Sequence, residues 1–76
     1  MTTKEFIKKV SEFKGYRAEY NKENNRVFIF KEGEQFTICK IFMERKSKYM
    51  LFTTDIPENL FNLIADFSIS DNREEL

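Results

Sequence analysis

Histidine and tryptophan are absent from this chain, and cysteine and proline each occur once. Without histidine, the commonest general base and the commonest neutral metal ligand are missing. A single cysteine excludes an internal disulfide and cannot build a multi-thiolate zinc site. Gly15 and Gly33 are the only glycines and lie far apart, so there is no glycine-rich phosphate cradle. Net charge is also lacking: 13 basic and 13 acidic side chains cancel. That balance argues against a nucleic-acid binder, which usually carries a basic excess, and it removes the repulsion that keeps small domains apart. No apolar run approaches the roughly 20 residues of a membrane span. The opening Met1–Glu5 carries an acid and precedes no long apolar run, so it does not read as a signal peptide. Together with the lone cysteine this points to a reducing, cytoplasmic setting.

What the chain has in quantity is phenylalanine, nine in 76 residues, with three tyrosines. A chain this short buries only about 60% of its unfolded surface, so large core side chains compensate for a thin core. Charged residues make up 34% of the sequence, as suits a folded, well-solvated domain.

The pattern is organised around Asn25–Met43 (N-R-V-F-I-F-K-E-G-E-Q-F-T-I-C-K-I-F-M), two β-branched and aromatic runs flanking Glu32-Gly33. This is the signature of a hairpin. Before it, Thr2–Phe13 predicts a helix. Thr2 and Glu5 have capping-box spacing, Phe6, Val10 and Phe13 follow i, i+4, i+7 with Ile7 beside them, and Lys14-Gly15 stops the run. Tyr16–Tyr20 alternates as a short strand, and Asn21–Asn25 is a polar loop. Glu44–Ser47 is a second polar turn and Lys48–Thr53 a fourth strand. Asp55 and Glu58 again have capping-box spacing, with Pro57 in the first turn of a second helix whose stripe is Leu60, Phe61, Leu63, Ile64 and Phe67. The expected fold is α+β: a two-layer sandwich of order α-β-β-β-β-α, a four-stranded antiparallel meander with both helices on one face. Residues 1–68 form the domain and 69–76 a flexible acidic tail.

A strand register assigns each side chain to a face. With Glu32-Gly33 as a two-residue turn, Phe28 opposes Thr37 and Val27 opposes Ile38. With four- and five-residue loops elsewhere, Ile41 opposes Met50, Cys39 opposes Phe52 and Ala18 opposes Phe28. The face carrying Tyr16, Ala18, Tyr20, Phe28, Phe30, Gln35, Thr37, Cys39, Ile41, Met43, Met50 and Phe52 is then free of charge. Charges are costly under two helices, so this face is placed inside. The outward face keeps Val27, Ile29, Phe36, Ile38, Phe42, Tyr49 and Leu51, a patch larger than monomers usually expose. These seven residues are the candidate partner-binding site. Either they are an interaction surface, or the stems of neighbouring charged residues cover them, or a loop register is off by one.

No enzymatic activity, cofactor or metal is expected. Cys39 falls mid-strand on the expected core face, where a thiol behaves as a small hydrophobe. Glu32, Glu34, Glu44 and Glu58 fall in turns or a helix cap, where a solvated acid is the ordinary reading. The alternative to protein binding is a single-stranded nucleic-acid site, with Arg45, Lys46 and Lys48 in the basic turn and Tyr49, Phe36 and Phe42 as stacking platforms. Lysines 4, 8, 9 and 14 form a second basic cluster on the first helix.

K-E-F-I-K-K-V (Lys4–Val10) followed by Gly15-Tyr16, I-P-E-N-L-F-N-L-I-A-D-F (Ile56–Phe67) and the terminal R-E-E (Arg73–Glu75) resemble small uncharacterised proteins of phages and prophages of Gram-positive bacteria. The resemblance implies an accessory protein made inside a bacterial host and transfers no catalytic residue. The expected function is therefore a non-enzymatic protein-binding module, acting on a partner or on a second copy of itself.

Overall fold

A computed structural model describes residues 1–73. It contains α1 (Thr3–Ser11), β1 (Tyr16–Asn21), β2 (Arg26–Lys31), β3 (Thr37–Phe42), β4 (Tyr49–Leu51) and α2 (Glu58–Ser68). The sheet is an antiparallel meander in the order β1-β2-β3-β4, so the fold is α+β as the pattern indicates.

Local chemistry accounts for the helices. At the start of α1 the capping box is complete: the Glu5 N–H donates to Thr2 Oγ1 at 3.2 Å, and the Thr2 N–H donates to the Glu5 carboxylate at 2.9 Å. Past its end, Gly15 sits at φ +87°, a left-handed position that glycine takes without a Cβ penalty. The Asp55–Glu58 box does not form. Pro57, at ψ 141°, is itself the residue before the helix and leaves Asp55 two positions too early to cap it. The first α2 amides to find partners are those of Leu60 and Phe61, both donating to the Pro57 carbonyl. Phe6 and Val10 of α1 and Leu60, Ile64 and Phe67 of α2 are fully buried. The rings of Phe6 and Phe67 stack at 4.2 Å and join the helices.

The register differs from the expected one, and with it the faces. Asn21 pairs with Arg26, so the first loop has four residues and Ala18 opposes Ile29. Asn21 Oδ1 accepts from the Asn24 N–H, and Asn25 turns the chain at φ 52°. At the other end of the sheet Ile41 opposes Tyr49 and Cys39 opposes Leu51, with Ser47 at φ 63° in the turn. Each is a shift of one residue, which turns every side chain of β2 and β4 over. The central connection is longer than the two-residue turn. Glu34 N–H closes a turn onto the Lys31 carbonyl around Gly33 (φ +85°), and residues 34–36 follow before β3 begins. Val27 therefore opposes Ile41, and a bulge beside Ile29/Phe30 lets the consecutive Ile38 and Cys39 both be buried.

The core is thus Phe6, Val10, Ala18, Val27, Ile29, Ile38, Cys39, Ile41, Met43, Leu60, Ile64 and Phe67, with Tyr16, Tyr20, Tyr49 and Leu51 packed at its edge. Val27, Ile29 and Ile38, expected outside, are at most 2% exposed, and Phe28, Phe30, Met50 and Phe52, expected inside, are not in the core. Charge still decides the side. In the true register the helix-covered face carries one charged residue, Lys31 at a strand end, 3.9 Å from Asp55. Residues 69–73, expected in a loose tail, fold back on the N-terminus. Thr3 Oγ1 donates to the Arg73 carbonyl, the N-terminal ammonium donates to Asn72 Oδ1 at 2.7 Å, and Lys46 pairs with Asp71. The rest of the expected tail, 74–76, lies outside the described residues.

Candidate functional site: the open face of the sheet

Both helices cover one face of the sheet, and the opposite face is open. Three rows of paired residues cross it. Arg17, Phe30 and Thr37 form one. Glu19, Phe28, Lys40 and Met50 form the next, and Asn21, Arg26 and Phe42 the third. Phe52 continues β4 beyond its last ladder pair, with its N–H bonded to the Ile38 carbonyl at 2.8 Å. Strand alternation puts Phe28, Phe30 and Phe42 on this face, opposite the core positions Val27, Ile29 and Ile41 of the same strands.

Cations lie against the rings. The Arg17 guanidinium is 4.3 Å from the centre of the Phe30 ring, Arg26 is 4.5 Å from Phe42, Lys48 is 4.7 Å from the same ring, and Lys40 is 5.6 Å from Phe52. Phe28 and Phe30 meet edge to face at 6.4 Å. Phe42 is nearly covered although it lies outside the core, because Arg26 and Lys48 approach its ring. Phe36, Met50 and Phe52 are not covered: they are 56%, 48% and 47% exposed. Phe36, Thr37, Lys40 and Phe52 line a shallow depression of about 360 Å³. Among the described residues, the paired rows and the cations on their rings bring Arg17, Arg26, Lys40 and Lys48 together with one carboxylate, Glu19, which is itself bonded to Arg17.

Of the seven residues expected as a partner surface, only Phe36 is exposed on the open side. Val27, Ile29 and Ile38 are core, Tyr49 and Leu51 are half-buried against it, and Phe42 is under its two cations. Of the basic turn, Lys48 belongs to the open face, Lys46 pairs with Asp71, and Arg45 is exposed. The helix lysines are not near these rings, since α1 lies under the other face. Sequence reasoning missed Arg26, Phe28, Phe30, Met50 and Phe52. Their signal was the alternation Arg26-x-Phe28-x-Phe30, readable once the first loop is counted as four residues.

The other concavities differ in character. A groove of about 480 Å³ between the helices has Phe13 and Leu63 ringed by Lys9, Glu12, Asn59, Asn62 and Asp66, an ordinary mixture for helix surfaces. A smaller cleft of about 190 Å³ by Thr3, Lys4, Ile7 and Tyr20 is almost wholly apolar. Cys39 is fully buried, and desolvation pushes its thiol up to about 12. Among the described residues no three of Cys, Asp and Glu are placed to hold a metal ion, and no helix is long and apolar enough to cross a membrane. Comparison with family models, curated proteins and solved structures finds no match for this chain.

Proposed function

We propose that this chain is a non-enzymatic accessory module that works by holding a macromolecular partner on the open face of its sheet. One observation carries the reading: Phe36, Met50 and Phe52 stand half exposed on the one layer that no helix covers. Aromatic residues, methionine and arginine are the side chains enriched at binding surfaces, and this face is built from all three. The absence of histidine and the burial of the only thiol support a role without catalysis. The resemblance to phage and prophage proteins supports an accessory role inside a bacterial host.

The test compares what the immobilised protein retains from a bacterial lysate with what a Met50→Ser/Phe52→Ser variant retains. Phe61→Ser, on the helix side and 40% exposed, is the control. A hot-spot residue at the centre of an interface costs about 2 kcal/mol or more when truncated, so with Met50 or Phe52 in that role the double variant should weaken capture by roughly tenfold or more while Phe61→Ser leaves it intact. Sedimentation over a range of concentrations reads self-association with the same three proteins. Identical capture and identical association in all three would exclude the open face as the working surface.

A further inference from the structure

Resting on that reading, we infer that the partner held on the open face is a single-stranded nucleic acid. Arg17, Arg26, Lys40 and Lys48 hold its phosphates, and Phe28, Phe30 and Phe52 stack its bases.

Three observations lead there. The first is charge. The chain as a whole is neutral, yet among the described residues the paired rows of this face and the cations on their rings set four cations against one carboxylate. Glu19 pairs with Arg17 and offsets one of the four, so the face keeps a positive excess that attracts a polyanion although the protein's net charge does not. The second is interleaving. Each cation lies on or beside a ring, so a stacking platform and a phosphate donor recur together across the sheet. A guanidinium has five N–H donors, so Arg17, bonded to Glu19, and Arg26, bonded to the Asn24 carbonyl at 3.0 Å, each keep donors for phosphate, and the outer plane extends the platform. An acidic peptide would use the cations but would leave this run of rings without planar partners. The third is shape. The face is an open surface with one shallow depression, and its rings lie among the strands rather than on projecting loops. Rings so placed cannot reach the stacked interior of a duplex, whereas the unstacked bases of a single strand can lie flat on them.

Fluorescence anisotropy with labelled single strands of DNA and RNA, about a dozen nucleotides long and of mixed sequence, tests this against a duplex of the same sequence. Both single strands should bind more tightly than the duplex. Affinity should fall with salt at a log–log slope of about −0.7 per phosphate held, hence near −3 if all four cations engage. Arg17→Gln/Lys40→Gln should weaken binding and flatten the slope by roughly 1.4. Phe52→Ala should weaken binding roughly 5- to 150-fold with the slope unchanged, the signature of lost stacking rather than lost charge. Circular dichroism reports whether each variant is folded, and because Phe52 is half exposed its replacement should be tolerated.

Failure of both strands to bind at low salt overturns the inference. So does binding that is indifferent to Phe52 and to Arg17 with Lys40 but lost on changing Lys4, Lys8 and Lys9 to Gln. If no strand binds while a protein or a second copy is captured and then lost in Met50→Ser/Phe52→Ser, the occupant is wrong and the surface stands. If nothing responds to changes on the open face, surface and occupant fall together.

Discussion

Ile29→Ala and Phe30→Ala are adjacent truncations with opposite expectations, and they measure which way up β2 lies. Ile29 is fully buried, in a core shared by β1, β3 and both helices. Removing three carbons there forfeits their transfer free energy and leaves a cavity, a combination that costs about 2–5 kcal/mol for Ile→Ala. A 76-residue domain has roughly 4–11 kcal/mol in hand at typical stability per residue. A loss of about 3 kcal/mol lowers the midpoint of thermal unfolding by roughly 12–24 °C for a domain of this size. Phe30 is the larger side chain but sits half-buried on the open face, held by Arg17 at 4.3 Å and by the edge contact with Phe28. Its truncation forfeits one exposed cation–π contact and one aromatic pair, about 1–2 kcal/mol together. Urea titration followed by far-ultraviolet circular dichroism gives both values, with an unchanged m-value confirming that only stability moved. Should Phe30→Ala prove as damaging as Ile29→Ala, β2 would be inverted and the open face described above would not exist.

Two further outcomes follow from local chemistry. Cys39, fully buried with its ionisation pushed up to about 12, should be inert to Ellman's reagent in the native protein at pH 8 and react at once in denaturant; a fast native reaction would show that the sheet opens beneath α1 and α2. The Glu5 carboxyl is held below its ordinary value of 4.5, chiefly by the Thr2 backbone N–H and then by the Thr2 hydroxyl. A lowered folded-state value stabilises the ionised form, so the contribution is present above pH 4.5 and is lost as pH falls through the folded value. Glu5→Gln, which keeps the hydrogen-bonding geometry but not the charge, should therefore be less stable than the parent at neutral pH, with the gap closing in acid; a gap that widens in acid would contradict the capping-box assignment.

The six elements and their order were legible in the sequence because each rests on local chemistry. The Thr2–Glu5 box, the apolar stripes of the two helices and the alternation of Tyr16, Ala18 and Tyr20 need no distant partner to be recognised, whereas α1 ends at Ser11, short of the expected Phe13 and of the stop at Gly15. The Asp55–Glu58 spacing misled because Pro57 itself occupies the position before the helix. The rule that charges stay out from beneath the helices also held. What it was applied to did not hold, because the faces depend on how many residues each loop consumes. Asn25 and Ser47 turn the chain in left-handed conformations open to many polar residues, and composition does not say at which residue the turn closes. Counting the first loop as five residues exchanged Val27 and Ile29 for Phe28 and Phe30. Counting the last turn as four residues instead of five exchanged Tyr49 and Leu51 for Met50 and Phe52. The bulge that buries both Ile38 and Cys39 breaks strict alternation altogether. The candidate site was for that reason only partly readable: Phe36 and Lys48 were in view, but the cation-and-ring surface was not. Propensity and hydrophobic period, encoded in neighbouring residues, determined the elements. Register, which pairs residues across loops and is settled only when the two helices pack on the Val27–Ile29 side of β2 and the matching sides of its neighbours, decided which residues face the solvent.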